Sequence, residues 1–265
     1  FTIIDEPGVD AFTAFCLLPH IEGGTKISSP MWIEKGHIAA QETPLFSSVK
    51  TKILAEKRVF VKDLCFGACS YLLDTDFMAQ QDASIVFIIR KPHDAWMALS
   101  KKLDFLAPYF DDPFLFMSTI DYTAVYELFK QLTDQMRRAP LIICSEELGN
   151  NPRAVIQNFC NYTNIEFSES HLSWQSKEAE LPFQELWNCP GCTPEIMRFW
   201  YSRAIASTHF SVPPSYPFPA DPALLFRSVS NPYYYSFYER LYQKNIAAYA
   251  LLVSEYTSQK NNKMA

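Results

Sequence analysis

Ser84-Ile85-Val86-Phe87-Ile88-Ile89-Arg90-Lys91-Pro92-His93-Asp94-Ala95-Trp96-Met97-Ala98-Leu99-Ser100 carries the clearest structural signal in the chain. Its first half is a continuous apolar run, rich in β-branched residues and too short for a buried helix. That pattern predicts a central strand covered on both faces. The run ends in charge at Arg90, and Pro92, with φ fixed and no N–H to donate, suits the first turn of a helix. Asp94 then places negative charge where the helix dipole favours it. Arg90 is thereby set at the carboxyl end of a parallel strand. Ligands of open α/β sheets bind at that edge, and a guanidinium is shaped to grip a phosphate through two parallel hydrogen bonds.

Working outward, three further runs read as strands: Phe1 to Pro7, Arg58 to Leu64 and Pro140 to Ser145. Between them lie helical patterns at Val9 to Leu18, Ser70 to Met78, Pro92 to Leu103 and Tyr122 to Arg138, the last with apolar residues at Val125, Leu128, Phe129, Leu132 and Met136. Strands alternating with helices imply a mostly parallel sheet with crossover helices, hence a three-layer α/β architecture. Further helices are expected from Asn151-Pro152, over Pro194 to Ala206 and over about Pro232 to Tyr256. The aromatic start of the last, Tyr233 to Tyr238, reads as packing against the sheet. Residues 27–46 and Leu106 to Met117 read as irregular, acceptor-side loops, and the polar end, residues 258–265, as a frayed tail after one domain spanning 1–257.

Composition narrows the function. The chain has 265 residues, 48% of them hydrophobic, and a formal net charge of −6 without a Lys/Arg-rich run, which argues against a general nucleic-acid binder. No apolar segment reaches the ~20 residues that a membrane span requires. Seven cysteines, an odd number, read as reduced thiols and favour the cytoplasm. Cys189-Pro-Gly-Cys192 lacks both the strand-to-helix context of a redox motif and the extra ligands of a zinc site, so it reads as a turn and no metal is expected. Glu22-Gly23-Gly24-Thr25-Lys26 lacks the Walker spacing and reads as a loop.

Four pieces in order carry a resemblance: Phe60 to Leu64 (Phe-Val-Lys-Asp-Leu), Ile88 to Ala95 (Ile-Ile-Arg-Lys-Pro-His-Asp-Ala), Ser145 to Pro152 (Ser-Glu-Glu-Leu-Gly-Asn-Asn-Pro) and Leu172 to Trp174 (Leu-Ser-Trp). Together with Ser207-Thr208-His209-Phe210 they resemble the P-loop sulfotransferase family over Phe1 to Phe210. The resemblance implies a P-loop NTPase-like three-layer fold. It also implies transfer of a sulfuryl group from 3′-phosphoadenosine 5′-phosphosulfate to a hydroxyl or amine of a small molecule or saccharide.

On that resemblance Arg90 binds the 3′-phosphate of the donor. The family's partner serine, eight residues later, is Ala98 here; Ser100 is a nearby hydroxyl, displaced by about 200° around a helix of ~3.6 residues per turn. Asp5-Glu6-Pro7 resembles the turn that supplies the base in sugar-modifying members, making Glu6 the candidate base and Asp5 its runner-up; helix capping or pairing with Lys62 or Arg58 is the equal alternative. Lys62 reads either as a phosphate or sulfate contact or as half of an ion pair. His93 reads as a solvated surface histidine. The family's phosphosulfate loop and its strand, which lies between the counterparts of Arg58–Leu64 and Ser84–Arg90, have no match here, so an upstream segment is expected to supply them. The alternative is a catalytically inactive relative acting as a binding module; a nucleotide kinase is disfavoured for want of a Walker lysine loop.

Overall fold

The computed structural model describes residues 2–5, 50–51, 53–55, 59–65, 71–79, 82–102, 111, 113–174, 194–216 and 232–261. Mixed α/β structure with much more helix than strand fills this set. β1 (Thr2–Asp5) pairs in parallel with β2 (Val59–Lys62), placing Asp5 beside Lys62. β3 (Val86–Ile89) pairs in parallel with β4 (Leu141–Cys144), from Val86 opposite Leu141 to Ile89 opposite Cys144. Among the described residues these are two separate two-stranded sheets, not one continuous sheet. The expected helix over Val9–Leu18, the expected loop over residues 27–46 and Cys189-Pro-Gly-Cys192 lie outside the described residues.

Alternation along β3 and β4 sends side chains to two cores. Phe87, Ile89 and Ile142 point toward α3 (Tyr122–Gln135), where Leu128, Phe129 and Leu132 meet them, and toward Ala248 and Leu252 of α7 (Pro232–Asn261). Leu141 and Ile143 point the other way, against Val155 and Tyr162 of α5 (Pro152–Thr163). The β3–β4 pair therefore carries helices on both faces. Cover on the second face stops at its β3 side: Ile88 is 67% exposed, which corrects the expectation of a strand buried on both sides. β2 packs separately, Val59 and Val61 lying against Ile53, Tyr71 and Phe77; α1 (Thr75–Ala79) belongs to this smaller cluster.

The helices follow their sequence signals. Asp121 caps α3, its carboxylate accepting from the Thr123 and Ala124 amides at 2.9 and 3.1 Å. Pro92 opens α2 (Pro92–Ser100), and Pro152 opens α5, which ends on Asn164 in the left-handed region at φ 54°. Pro194–Ala206 forms α6, as expected from the sequence. The segment Pro113–Thr119, expected to be irregular, is a 3-10 helix, and Glu169–Leu172 is another.

The last helix departs most from expectation, because it runs to Asn261 where a frayed tail is predicted from residue 258. Tyr238, Tyr242, Asn245, Tyr249, Leu252, Tyr256 and Gln259 alternate steps of four and three, a single stripe along α7. Gln259 ends that stripe on the outer edge of β4. Its carboxamide accepts from the Ile142 N–H at 3.1 Å and donates to the Pro140 carbonyl at 2.8 Å, filling in for a neighbouring strand. Asn245, fully buried, accepts from the Tyr122 N–H at 2.8 Å and donates to the Ile120 carbonyl at 2.7 Å, locking the start of α3.

Candidate functional site

The carboxyl edge of β3–β4 gathers the polar groups. Arg90 follows the last residue of β3, and Ser145, the first residue of α4 (Ser145–Asn150), follows the last residue of β4. Because Ile89 and Cys144 are in register, Arg90 and Ser145 are the next residues on adjacent parallel chains. Arg90 is partly buried, and its Nη2 donates to the Pro214 carbonyl at 2.8 Å. Its Nε and the Ser145 Oγ are both buried, and among the described residues neither has a hydrogen-bond partner. Such groups lack their water without compensation, at about 1–3 kcal/mol each. Arg90 forms no ion pair among the described residues, where its hydrogen-bond acceptor is the neutral Pro214 carbonyl.

Around this edge the backbone is fixed by side chains. The Tyr122 hydroxyl donates to the Arg90 carbonyl. Burial pushes its pKa upward, so it remains a neutral donor at ordinary pH. Glu146 Oε1 accepts from the Lys91 N–H at 3.1 Å, holding the turn from β3 into α2. His93, expected on the surface, is instead 9% exposed, and its Nδ1 lies 3.2 Å from the Tyr242 hydroxyl. Burial, assisted by the negative Asp94, pushes that tyrosine up to about 12. Trp96 stacks edge-on against the same ring, its centroid 5.3 Å away.

A strap of residues 211–216 crosses the mouth of the edge. Asp94, 4% exposed, accepts from the Tyr216 N–H at 2.8 Å, and Lys101 Nζ sits 4.1 Å from the centroid of the Tyr216 ring. At the other end Arg203 of α6 donates to Ser211 Oγ at 3.0 Å and to the Val212 carbonyl at 2.8 Å. Gly149 lets the strap approach α4: a Cβ there would lie 2.5 Å from Val212 Cα and 2.7 Å from its nitrogen. The Leu-Ser-Trp and Ser-Thr-His-Phe pieces meet just upstream. Ser173 bridges His209, the Trp174 N–H donates to the Thr208 carbonyl at 2.9 Å, and Trp174 and Phe210 pack edge to face.

Ser100 and Lys62 have other described partners. Ser100 donates back into its own helix, to the Met97 carbonyl at 3.0 Å. Lys62 belongs to the β1–β2 pair, and its Nζ reaches the Tyr201 hydroxyl at 3.1 Å, above a ring centroid 5.2 Å away. Asp5 is placed by its backbone beside Lys62, its side chain lying outside the description; Glu6 lies outside the described residues altogether. No group of three or more His, Cys, Asp or Glu suited to a metal ion occurs among the described residues. Sequence reading missed Ser145, Gly149 and the His93–Tyr242 contact. Gly149 had a visible signal, a glycine inside a helix-forming run.

Among the described residues no helix is long and apolar enough to cross a membrane. No family model matches the chain, and no solved structure does. Eighty-three residues are 32% identical to a protein of Arabidopsis thaliana described as branched-chain-amino-acid aminotransferase-like protein 2, a match covering 31% of this chain and 13% of that protein. The similarity thus spans a small part of a much longer relative.

Proposed function

We propose that this chain forms part of a sulfotransferase that takes its sulfuryl group from 3′-phosphoadenosine 5′-phosphosulfate and delivers it to a hydroxyl or amine of a small molecule or saccharide. The observation that carries this reading is Arg90. It stands at the carboxyl end of a parallel strand, one N–H buried without a partner and no carboxylate paired to it among the described residues. A phosphate monoester satisfies that donor and that charge together. The order of the motifs supports the same reading, as does the meeting of Ser173–Trp174 with Thr208–His209.

In this reading β1–β2 and β3–β4 belong to one mostly parallel, P-loop-like sheet with helices in the outer layers, and the work of transfer divides among the chain's own residues. Arg90 grips the 3′-phosphate, and Tyr122 fixes the Arg90 backbone. Lys62 contributes positive charge, and Glu6, or Asp5, takes the acceptor proton as the new S–O or S–N bond forms and the S–O bond to the leaving phosphate breaks. The donor itself supplies the activated sulfuryl group. The free thiols of Cys144 and Cys160 accord with a reducing compartment such as the cytoplasm.

A second reading, an inactive relative that serves as a binding module, is favoured by one observation: Ala98 stands at the family's serine position, and the nearby Ser100 hydroxyl is turned into its own helix. The aminotransferase-like name of the Arabidopsis protein adds no third reading, since 13% of that protein is matched. Calorimetric titration with adenosine 3′,5′-bisphosphate, the product of transfer, tests the proposal. Binding that weakens roughly 10–100-fold in Arg90→Ala is expected, the range of a hydrogen bond to a charged group. No binding by the unaltered chain overturns the enzyme reading and favours the module.

A further inference from the structure

The β4 side of the edge holds a polar atom that the proposed function leaves unused. Ser145 Oγ is buried and, among the described residues, bonds to nothing, although a hydroxyl can rotate to reach any acceptor in range. It follows Cys144 as Arg90 follows Ile89, across a registered pair of parallel strands. Both positions continue the alternation that sends Leu141, Ile143 and Val86 to the α5 face, opposite Phe87, Ile89 and Ile142. Two adjacent strand ends thus each present a buried donor with no acceptor among the described residues. Buried polar groups are nearly always satisfied, and where two neighbours are not, one oxygen-rich ligand accounts for both.

We infer that Ser145 is a second protein contact to the phosphate held by Arg90, a hydroxyl supplied from the neighbouring strand end in place of the one lost at Ala98. The inference rests on the proposed function for the identity of the ligand, a nucleotide carrying a ribose 3′-phosphate. The acceptor now on Arg90 Nη2, the Pro214 carbonyl, is neutral, and a charged phosphate oxygen displaces it because charge-assisted hydrogen bonds are about twice as strong. Glu146, next in sequence, is a negative group beside this arrangement, and its Oε1 accepts from the Lys91 N–H at 3.1 Å, which ties it to the turn into α2. Ser145 is a positioning and affinity residue here and takes no part in proton transfer.

Adenosine 3′,5′-bisphosphate and adenosine 5′-monophosphate, which lacks the 3′-phosphate, are titrated calorimetrically into the full chain, Ser145→Ala, Ser145→Thr and Ser100→Ala, with circular dichroism confirming each fold. Ser145→Ala should weaken the bisphosphate about tenfold and leave the monophosphate unchanged, Ser145→Thr should retain most of the affinity, and Ser100→Ala should behave as the parent. If the parent binds and Arg90→Ala weakens it while Ser145→Ala does not, the role of Ser145 is overturned and the proposed function stands. A parent that binds neither nucleotide overturns both. Equal losses for both nucleotides in Ser145→Ala assign the residue to general packing and overturn the phosphate contact.

Discussion

Replacing Asn245 by leucine, a side chain of similar size, tests how the last helix holds the site. Asn245 is fully buried and satisfies two main-chain groups at the start of α3, the Tyr122 N–H at 2.8 Å and the Ile120 carbonyl at 2.7 Å. Leucine leaves both groups buried without partners, costing about 1–3 kcal/mol each. Burial of the leucine itself returns roughly 1.5–3 kcal/mol. The expected net loss is therefore about 1–3 kcal/mol, read as a lower urea midpoint at constant slope. Hydrogen exchange localises the effect: the Tyr122 amide should exchange about 5–150-fold faster, since each 1.4 kcal/mol is a factor of ten. Tyr122 also donates to the Arg90 carbonyl, so loosening α3 is felt at the strand end. A variant as stable as the parent, with Tyr122 still protected, refutes the argument that one carboxamide pins α3 to α7.

The remaining predictions concern the edge, the strap and a half-buried thiol. Gln259→Ala removes both carboxamide bonds from the outer edge of β4, so the Ile142 amide should lose about tenfold in exchange protection; unchanged protection contradicts the edge-filling role. Gly149→Ala inserts a Cβ 2.5 Å from Val212 Cα, and the displaced strap should cost about 1–3 kcal/mol in chemical denaturation, whereas a neutral or stabilised variant means the strap does not pack there. Cys144 has its thiol pushed up from 9.0 to about 11, chiefly by burial and then by Glu146 and Glu147. At pH 8 its alkylation should be roughly 100-fold slower than that of an unfolded thiol, the thiolate being the reactive form. Between pH 9 and 11 the unfolded state loses this proton first, so the thiol's contribution to stability is intact below pH 9 and falls as pH rises. Alkylation at the unfolded rate in the native protein contradicts the burial.

Sequence alone yielded β3, β4, α2 and α5, but not α4, because a β-branched run followed by charge, and a proline that opens a helix, leave little choice of local structure. It also placed Arg90 at a strand end. What it missed depends on contacts between distant parts of the chain. His93 looks solvated in a charged helical turn, yet Tyr242, 149 residues away, meets it in the interior. Gln259 sits in a polar stretch that reads as a frayed tail, and only the position of β4 gives its carboxamide a purpose. Ser145 hides within a run of helix-starting residues, where serine usually caps rather than faces a ligand. The exposure of Ile88 escaped notice because an apolar run announces burial without saying how far cover extends on each face.

The central claim is that Arg90 holds a ribose 3′-phosphate, and a phosphorus NMR titration of adenosine 3′,5′-bisphosphate measures it with separate signals for the two phosphates. The account predicts that the 3′ signal shifts most on binding to the full chain and that Arg90→Lys, which keeps the charge but loses the planar fork, largely abolishes that shift. A shift confined to the 5′ signal, or a 3′ shift indifferent to Arg90, would contradict it.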